Sequence, residues 1–320
     1  MASVLCSTIS GMPGGQVVAV MSASRHRARG FATEHRIGAA YTSVGELASD
    51  PDVEFIYIAS TNDRHYQDTL ACLEKDRPVL IEKPFALDRR QATEMVERAR
   101  KRGIFLMEGM WMRFQPAILK LADLVAAGTI GPVRHLAADF VIPAPDDPNR
   151  RWFSPELGGG SVYDLGVYPL ALAHMLLGPP VRMTSLSVLA KTGVETQSGM
   201  TLAYAGGELA VLSSSLLAFG ENEAVIAGPE GRITLRAPFH HSTRLTVHRR
   251  DGEMAVHDVE DLGYRPEVEE VERCVTAGKT ESDLWSLDDS LALMDMVDRV
   301  HAQSRVKVLY SDPVPNSMTE

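Results

Sequence analysis

Residues 79–87 read V-L-I-E-K-P-F-A-L. Val79, Leu80 and Ile81 are the apolar end of a buried strand. Pro84 stops it, because proline brings no N–H to a strand ladder. Between them stand Glu82 and Lys83, an acid and a base where an apolar sheet opens into a turn. Parallel sheets bind ligands beyond the carboxyl ends of their strands. The pair therefore stands where chemistry would be placed, although a surface ion pair would read the same way.

The same rhythm repeats on either side. The stretches QVVAVMS (16–22), VEFIYIAS (53–60), PVLIEKP (78–84) and IFLMEG (104–109) read as buried strands. Helical segments separate them: RHRARGFATEH (25–35), SVGELASDP (43–51), DRHYQDTLACLEK (63–75) and DRRQATEMVERARKRG (88–103), the last with Asp88 as N-cap and Gly103 as stop. Apolar strands divided by helices predict an α/β domain with a doubly wound parallel sheet of Rossmann type. Beyond Pro116 the pattern changes. Strand-like runs at 132–142, 181–190, 200–218, 222–228, 231–237 and 243–250, with AGGE and GPEG as turns, predict an open, mostly antiparallel sheet. A helical segment (160–178) interrupts it and two more (266–278 and 287–304) close the chain. The predicted domains are 1–116 and 117–320.

The front departs from this scheme. A doubly wound domain opens with a strand and a Gly-rich phosphate turn. This chain opens MASVLCSTISGMPGG, with its glycines before the strand VVAV, the wrong end for a phosphate loop. Val4, Leu5 and Ile9 fit one helical face, so Met1–Ile9 reads as the helix that follows the turn. About 10 residues, one strand and its turn, are then missing, leaving edges on both neighbours. A misplaced start codon or a fragment explains this; a divergent domain with reduced cofactor binding is the alternative.

Composition narrows the function. The net charge of −10 favours neither nucleic acid nor an anionic membrane. The first residues show no basic region followed by an apolar run, so no signal peptide is expected, and no apolar stretch approaches the roughly 18 residues of a membrane helix. Cys6, Cys72 and Cys274 lie far apart, which argues against disulfides or zinc and suits a reducing cytoplasm. His240-His241 has no carboxylate or cysteine spacing for a metal site. After VVAVM, where an acid would take the ribose hydroxyls of NAD, stand Ser24 and Arg25. They suit the 2′-phosphate of NADP, with NAD as the other option; Ser24 equally suits a cap for the next helix. Ser60, Thr61, Asn62 and His65 follow the next strand as further cofactor candidates, and His65 fits a packed histidine as well as a ligand contact. Gly158–Gly160 permit close backbone approach, and Asp164 and Tyr168 follow at i, i+4 on one helical face. Trp111, Arg113 and Phe114 fall at the domain junction.

Four segments in order, EKP (82–84), MWMRFQP (110–116), RWFSPELGGGSVYDLGVYP (151–169) and LWSLDDSLALMDMVDRV (284–300), resemble the Gfo/Idh/MocA oxidoreductases. The resemblance covers nearly the whole chain and is nearest to the branch of dihydrodiol dehydrogenase, NADP-dependent D-xylose dehydrogenase and glucose–fructose oxidoreductase. It implies a Rossmann domain followed by an open-sheet domain that often forms a homo-oligomer interface. It also implies Lys83 and Tyr168 beside the nicotinamide, with Asp164 next to them as catalytic residues. The residue types suit hydride and proton transfer at a secondary alcohol. A buried ammonium is expected to lower the pKa of a nearby tyrosine, so Tyr168 exchanges the proton while Lys83 holds charge and orientation; which of the two transfers it stays open. Glu82 is expected on the cofactor side, and Arg113, Arg151 and Trp152 at the cofactor or pocket. The expected function is an NAD(P)-dependent oxidoreductase acting on a sugar, cyclic polyol or trans-diol. A 1,5-anhydro-D-fructose reductase-like enzyme and a non-catalytic sugar or nucleotide sensor are the alternatives.

Overall fold

The computed structural model describes residues 1–144, 147 and 150–307. Its N-terminal half runs α1 (Ala2–Ser10), β1 (Ala19–Met21), α2 (Arg25–His35), β2 (Ala39–Tyr41), α3 (Val44–Ala48), β3 (Ile56–Ile58), α4 (His65–Leu73), β4 (Val79–Glu82), α5 (Arg89–Arg102) and β5 (Leu106–Gly109). The helix boundaries follow from local chemistry. Ser43 and Glu46 form a reciprocal capping box on α3. Asp88 accepts the Gln91 N–H at the start of α5, and Gly103 ends it with φ 65°. In α1 the buried residues are Leu5 and Cys6, whereas Val4 is exposed, so the face is rotated from the one expected.

All strand pairs in this half are parallel. They fall into two separate sheets, β1-β2 and β3-β4-β5. Among the described residues no strand joins β1 to β3, so each of them pairs on one side only, as the reading of the front anticipates. β4 is the centre of the larger sheet, and all four of its residues are buried. Packing of α4 against this sheet, and of α5 against α4 and α9, buries Cys72, Ala92, Met95 and Ala99. Each large apolar side chain removed from water there contributes about 1.5–3 kcal/mol before entropy is counted.

The C-terminal half comprises α6 (Pro116–Ala126), β6 (His135–Val141), α7 (Val167–Leu177), β7 (Arg182–Leu189), β8 (Glu195–Ala203), β9 (Leu209–Ser215), β10 (Ala224–Gly228), β11 (Gly231–Leu235), β12 (Arg244–Arg249), β13 (Met254–Asp258), α8 (Arg265–Thr276), α9 (Leu287–Ala302) and β14 (Ser304–Lys307). Nine strands form one sheet in the order β13-β12-β11-β10-β6-β9-β8-β7-β14. Most pairs are antiparallel; β6–β9 and β7–β14 are parallel. Alternation along β6 buries Leu136, Ala138 and Phe140 on the helix side. α7 lies between that face and α9. It is buried from Val167 to His174 and apolar all round, as a helix in that position must be. The indole N–H of Trp285 donates to Glu108 at 3.0 Å, tying the start of α9 to β5. These contacts hold the carboxyl end of β4 against the start of α7.

Candidate active site

Lys83 follows β4 and Asp164 precedes α7. The chain between 162 and 166 makes a π-helical turn, a device that recurs at functional sites. The residue five beyond Asp164 is Pro169, which has no N–H to give. The Asp164 carbonyl instead accepts Lys83 Nζ at 2.7 Å, and its carboxylate lies 3.5 Å from the same nitrogen. Arg151 donates to the same carboxylate oxygen at 2.9 Å. Burial works to raise the Asp164 carboxyl, but the charges of Lys83 and Arg151 outweigh it and hold the group below the ordinary range.

The Lys83 ammonium also sits 5.0 Å from the centroid of the Tyr168 ring, within cation–π range. Tyr168 is 6% exposed. Its hydroxyl oxygen accepts the indole N–H of Trp111 at 2.8 Å, which leaves the phenolic proton free to be donated. Lys83, Asp164, Tyr168 and Trp111 thus converge from three parts of the chain. One expectation is reversed. Burial, and then the charge of Glu82, push the Tyr168 phenol well above its ordinary value, and the Trp111 hydrogen bond only partly opposes them. Tyr168 is a neutral phenol, a proton donor rather than a ready base.

Behind this group lies a carboxylate layer. Glu82 takes a short hydrogen bond from the Tyr57 hydroxyl, and burial raises its pKa. Glu108 is fully buried and rises to about 7 for the same reason. Glu267, also buried, is raised by burial and by the charges of Glu82 and Glu108. Gly109 leaves room for Glu267: a Cβ at that position would lie 3.1 Å from its Oε1.

The remaining candidates divide. Ser60, Thr61 and Asn62 lie just past the carboxyl end of β3, on the same sheet edge as Lys83, and Ser24 follows β1 in the separate two-stranded sheet. Several have internal duties. Ser24 caps α2 through the Arg27 N–H at 3.4 Å. Ser60 donates to Asp68 at 2.8 Å, and Asn62 donates to the Gly158 carbonyl at 2.8 Å. His65 has both ring nitrogens against backbone carbonyls, of Pro84 at 2.8 Å and Ser60 at 3.2 Å, and burial lowers its pKa. It ties two loops of the site together. Arg25 is exposed and has no ion pair among the described residues. Arg113 is not brought to Lys83; it faces the charges of Asp289 and Glu270 instead. Trp152 lies under the Arg151 guanidinium, 5.3 Å from its ring, and its buried indole nitrogen has no partner among the described residues.

Sequence reasoning missed three contributors. Tyr264 stacks on Trp111 with centroids 4.5 Å apart. Phe140 lies edge-on to Tyr168 at 5.3 Å. His240 sits 5.0 Å from the Tyr168 ring. The two-residue alternation of β6 could have placed Phe140 on the buried face; nothing local marks the other two.

Parallel sheets of Rossmann type are thus joined to an open sheet, with a lysine and a tyrosine converging where the two halves meet. Residues 3–110 match the family model described as oxidoreductase family, NAD-binding Rossmann fold, and residues 118–234 match the GFO/IDH/MocA C-terminal domain. The chain belongs to the Gfo/Idh/MocA oxidoreductase family. A trans-1,2-dihydrobenzene-1,2-diol dehydrogenase from Danio rerio is 35% identical, covering 92% of this chain and 90% of that protein. One from Homo sapiens is 32% identical over 89% of this chain and 87% of its own length. Among solved structures, a 3-ketoreductase from Actinomadura kijaniata in complex with NADP and TDP-benzene superposes with TM-score 0.84 at 26% identity, covering 95% of this chain and 94% of that one.

Proposed function

We propose that this oxidoreductase interconverts a secondary alcohol and a ketone on a sugar, cyclic polyol or trans-diol with NADP, and that Lys83 and Tyr168 serve the reacting oxygen. The observation that carries the reading is the shared position of the Lys83 ammonium and the Tyr168 phenol. In reduction, Tyr168 gives its proton to the carbonyl oxygen as that oxygen gains negative charge, and Lys83 stabilises the charge. In oxidation the proton returns by the same path: alcohol and NADP⁺ give ketone, NADPH and one proton. Asp164 orients Lys83 through its carbonyl and carboxylate. When bound, the nicotinamide supplies the hydride chemistry.

The residues present fit two ends of the cofactor. Exposed Arg25, beside Ser24 at the end of β1, suits the 2′-phosphate, and Lys83 stands at the nicotinamide end. No G-x-G-x-x-G links a strand to a helix in these 320 residues to cradle a pyrophosphate. The dihydrodiol dehydrogenases and the NADP-bound ketoreductase named above support the substrate class and the cofactor. A boundary near Pro116 between domains 1–116 and 117–320 is supported by the start of α6 at that residue. The three described cysteines are free and buried, which suits a reducing cytoplasm. Among the described residues no helix is long and apolar enough to cross a membrane.

A second copy of this chain covers the outer face of the nine-stranded sheet. One uncharged row, Val256, Thr246, Thr234, Val225, Ala137, Val211, Thr201 and Thr184, crosses eight strands there. Exposed Leu186 and Leu209 flank it. Light scattering should report a dimer or tetramer that Val211→Glu dissociates; a monomeric wild type contradicts this face.

The activity is tested by absorbance at 340 nm with NADP(H) and NAD(H) across aldoses, inositols and trans-diols. Turnover that prefers NADP(H) is expected. Sugar binding without any nicotinamide turnover would favour the sensor reading instead.

A further inference from the structure

His240 stands out among the histidines of this chain. It lies in a short 3-10 turn, Phe239–His241. Its ring stacks on Phe140 at 4.4 Å and approaches Tyr168 at 5.0 Å and Trp111 at 5.5 Å. It is 8% exposed, and its Nδ1 is buried without a hydrogen-bond partner. The contrast with other buried histidines is direct. His65 has a carbonyl at each nitrogen, and His174 has Asp289 at one of them. His240 has a hydrogen-bond partner at neither nitrogen among the described residues.

A buried polar atom left unpaired is costly, because it has given up its hydrogen bonds to water for nothing in return. A phenylalanine at 240 would fill a similar volume at no such cost. Burial, and then the charges of His241 and Lys83, hold the imidazole near a pKa of about 3. The ring is therefore neutral, with one nitrogen that donates and one that accepts. It can meet a hydroxyl in either sense without adding charge beside Lys83. The ring's surroundings are aromatic: Phe140 stacks on it, Trp111 meets it edge to face, and Tyr264 stacks on Trp111. A ligand that suits such surroundings has an apolar ring and hydroxyls on its edge.

We propose that His240 is a substrate-binding residue, hydrogen-bonding a second hydroxyl carried next to the carbon that reacts at Lys83 and Tyr168. The enzyme then selects vicinal hydroxyls over lone alcohols. This rests on the reading of the Lys83–Tyr168 pair given above. A site built to hydrogen-bond a substrate hydroxyl discriminates strongly against the analogue that lacks it, because its own polar group is left unpaired.

The test compares trans-cyclohexane-1,2-diol with cyclohexanol, oxidised with NADP⁺ by the wild type, His240→Phe and His240→Gln. The readout is the ratio of kcat/KM for the diol to that for the lone alcohol. The ratio should fall by about 10-fold or more in His240→Phe. His240→Gln, which restores a donor and an acceptor, should keep it within about 3-fold of wild type, a change worth under 1 kcal/mol. An unchanged ratio in His240→Phe overturns the role of His240 and leaves the Lys83–Tyr168 reading standing. Turnover of neither compound by the wild type overturns the vicinal-diol assignment of His240, while the Lys83–Tyr168 reading is decided separately by the aldose, inositol and trans-diol panel.

Discussion

Lys83 and Asp164 are 81 residues apart in sequence, yet the ammonium of the first donates to the backbone carbonyl of the second at 2.7 Å. That bond joins the end of a parallel strand to the start of a helix in the other half of the molecule. It fixes the position of Lys83 over the Tyr168 ring. Catalysis in this account depends on the two halves being held in that register, because proton transfer needs hydrogen-bond reach.

Trp111 positions Tyr168 through a hydrogen bond of 2.8 Å. Trp111→Phe keeps the stacking surface against Tyr264 and removes the donor. It should lower kcat by about 10-fold or more with a smaller change in KM, since the phenol loses its orientation. It should also move the alkaline limb of the pH profile upward, because this hydrogen bond is the influence that lowers the Tyr168 pKa. A variant with wild-type kcat and profile would show that Trp111 only fills space.

The ionisation of Tyr168 makes a second prediction. Its folded pKa lies above 10, so the phenolic proton is present throughout the neutral range. Carbonyl reduction should lose no rate from its ionisation between about pH 6 and 9. A fall in kcat with a midpoint near pH 7 that Tyr168→Phe abolishes would show that the lysine lowers the phenol after all.

The buried carboxylates make a prediction about stability. Glu108 rises from 4.5 to about 7 in the folded state. A carboxyl with a raised folded pKa holds its proton longer in the native protein. Its stabilising contribution is therefore present in full below the unfolded value and is lost as pH climbs from about 4.5 through 7. Burial raises Glu82 and Glu267 in the same sense. Denaturant unfolding at pH 5 and pH 8 should show wild type losing more stability over that interval than Glu108→Gln, by an amount on the order of 2–3 kcal/mol. The difference between the two pH values largely cancels the hydrogen bond that the substitution disturbs. Equal losses in both proteins would mean that Glu108 is ionised in the fold at pH 5.

Much of this was legible in the sequence, and the limits have physical causes. The ends of β4 and β5, the Asp88 cap and the Gly103 stop follow from local rules and stand where expected. Lys83, Asp164 and Tyr168, whose segments carry the family resemblance, are brought together by the fold. β2 escaped because Ala39–Tyr41 is three residues long with only alanines before its tyrosine. β13 and β14 escaped because an edge strand need not be apolar throughout; exposed Met254 and Val256 alternate with half-buried residues. The parallel pairing of β6 with β9 is set by long connections that no local pattern encodes. His240 reaches Tyr168, and Tyr264 reaches Trp111, from loops more than 70 residues away, so only the folded chain reveals these contacts. The Tyr168 pKa was misjudged because sequence displays the nearby lysine but not the depth of burial, and burial dominates.

The most direct test of the shared centre is a double-mutant cycle on turnover with Lys83→Ala, Tyr168→Phe and the pair combined. Each single substitution should cut kcat by about 10²-fold or more, with the fold intact by circular dichroism. Because both groups act on one oxygen, the combined variant should be little worse than the poorer single one. Losses that multiply in full would mean that the ammonium and the phenol act on separate events.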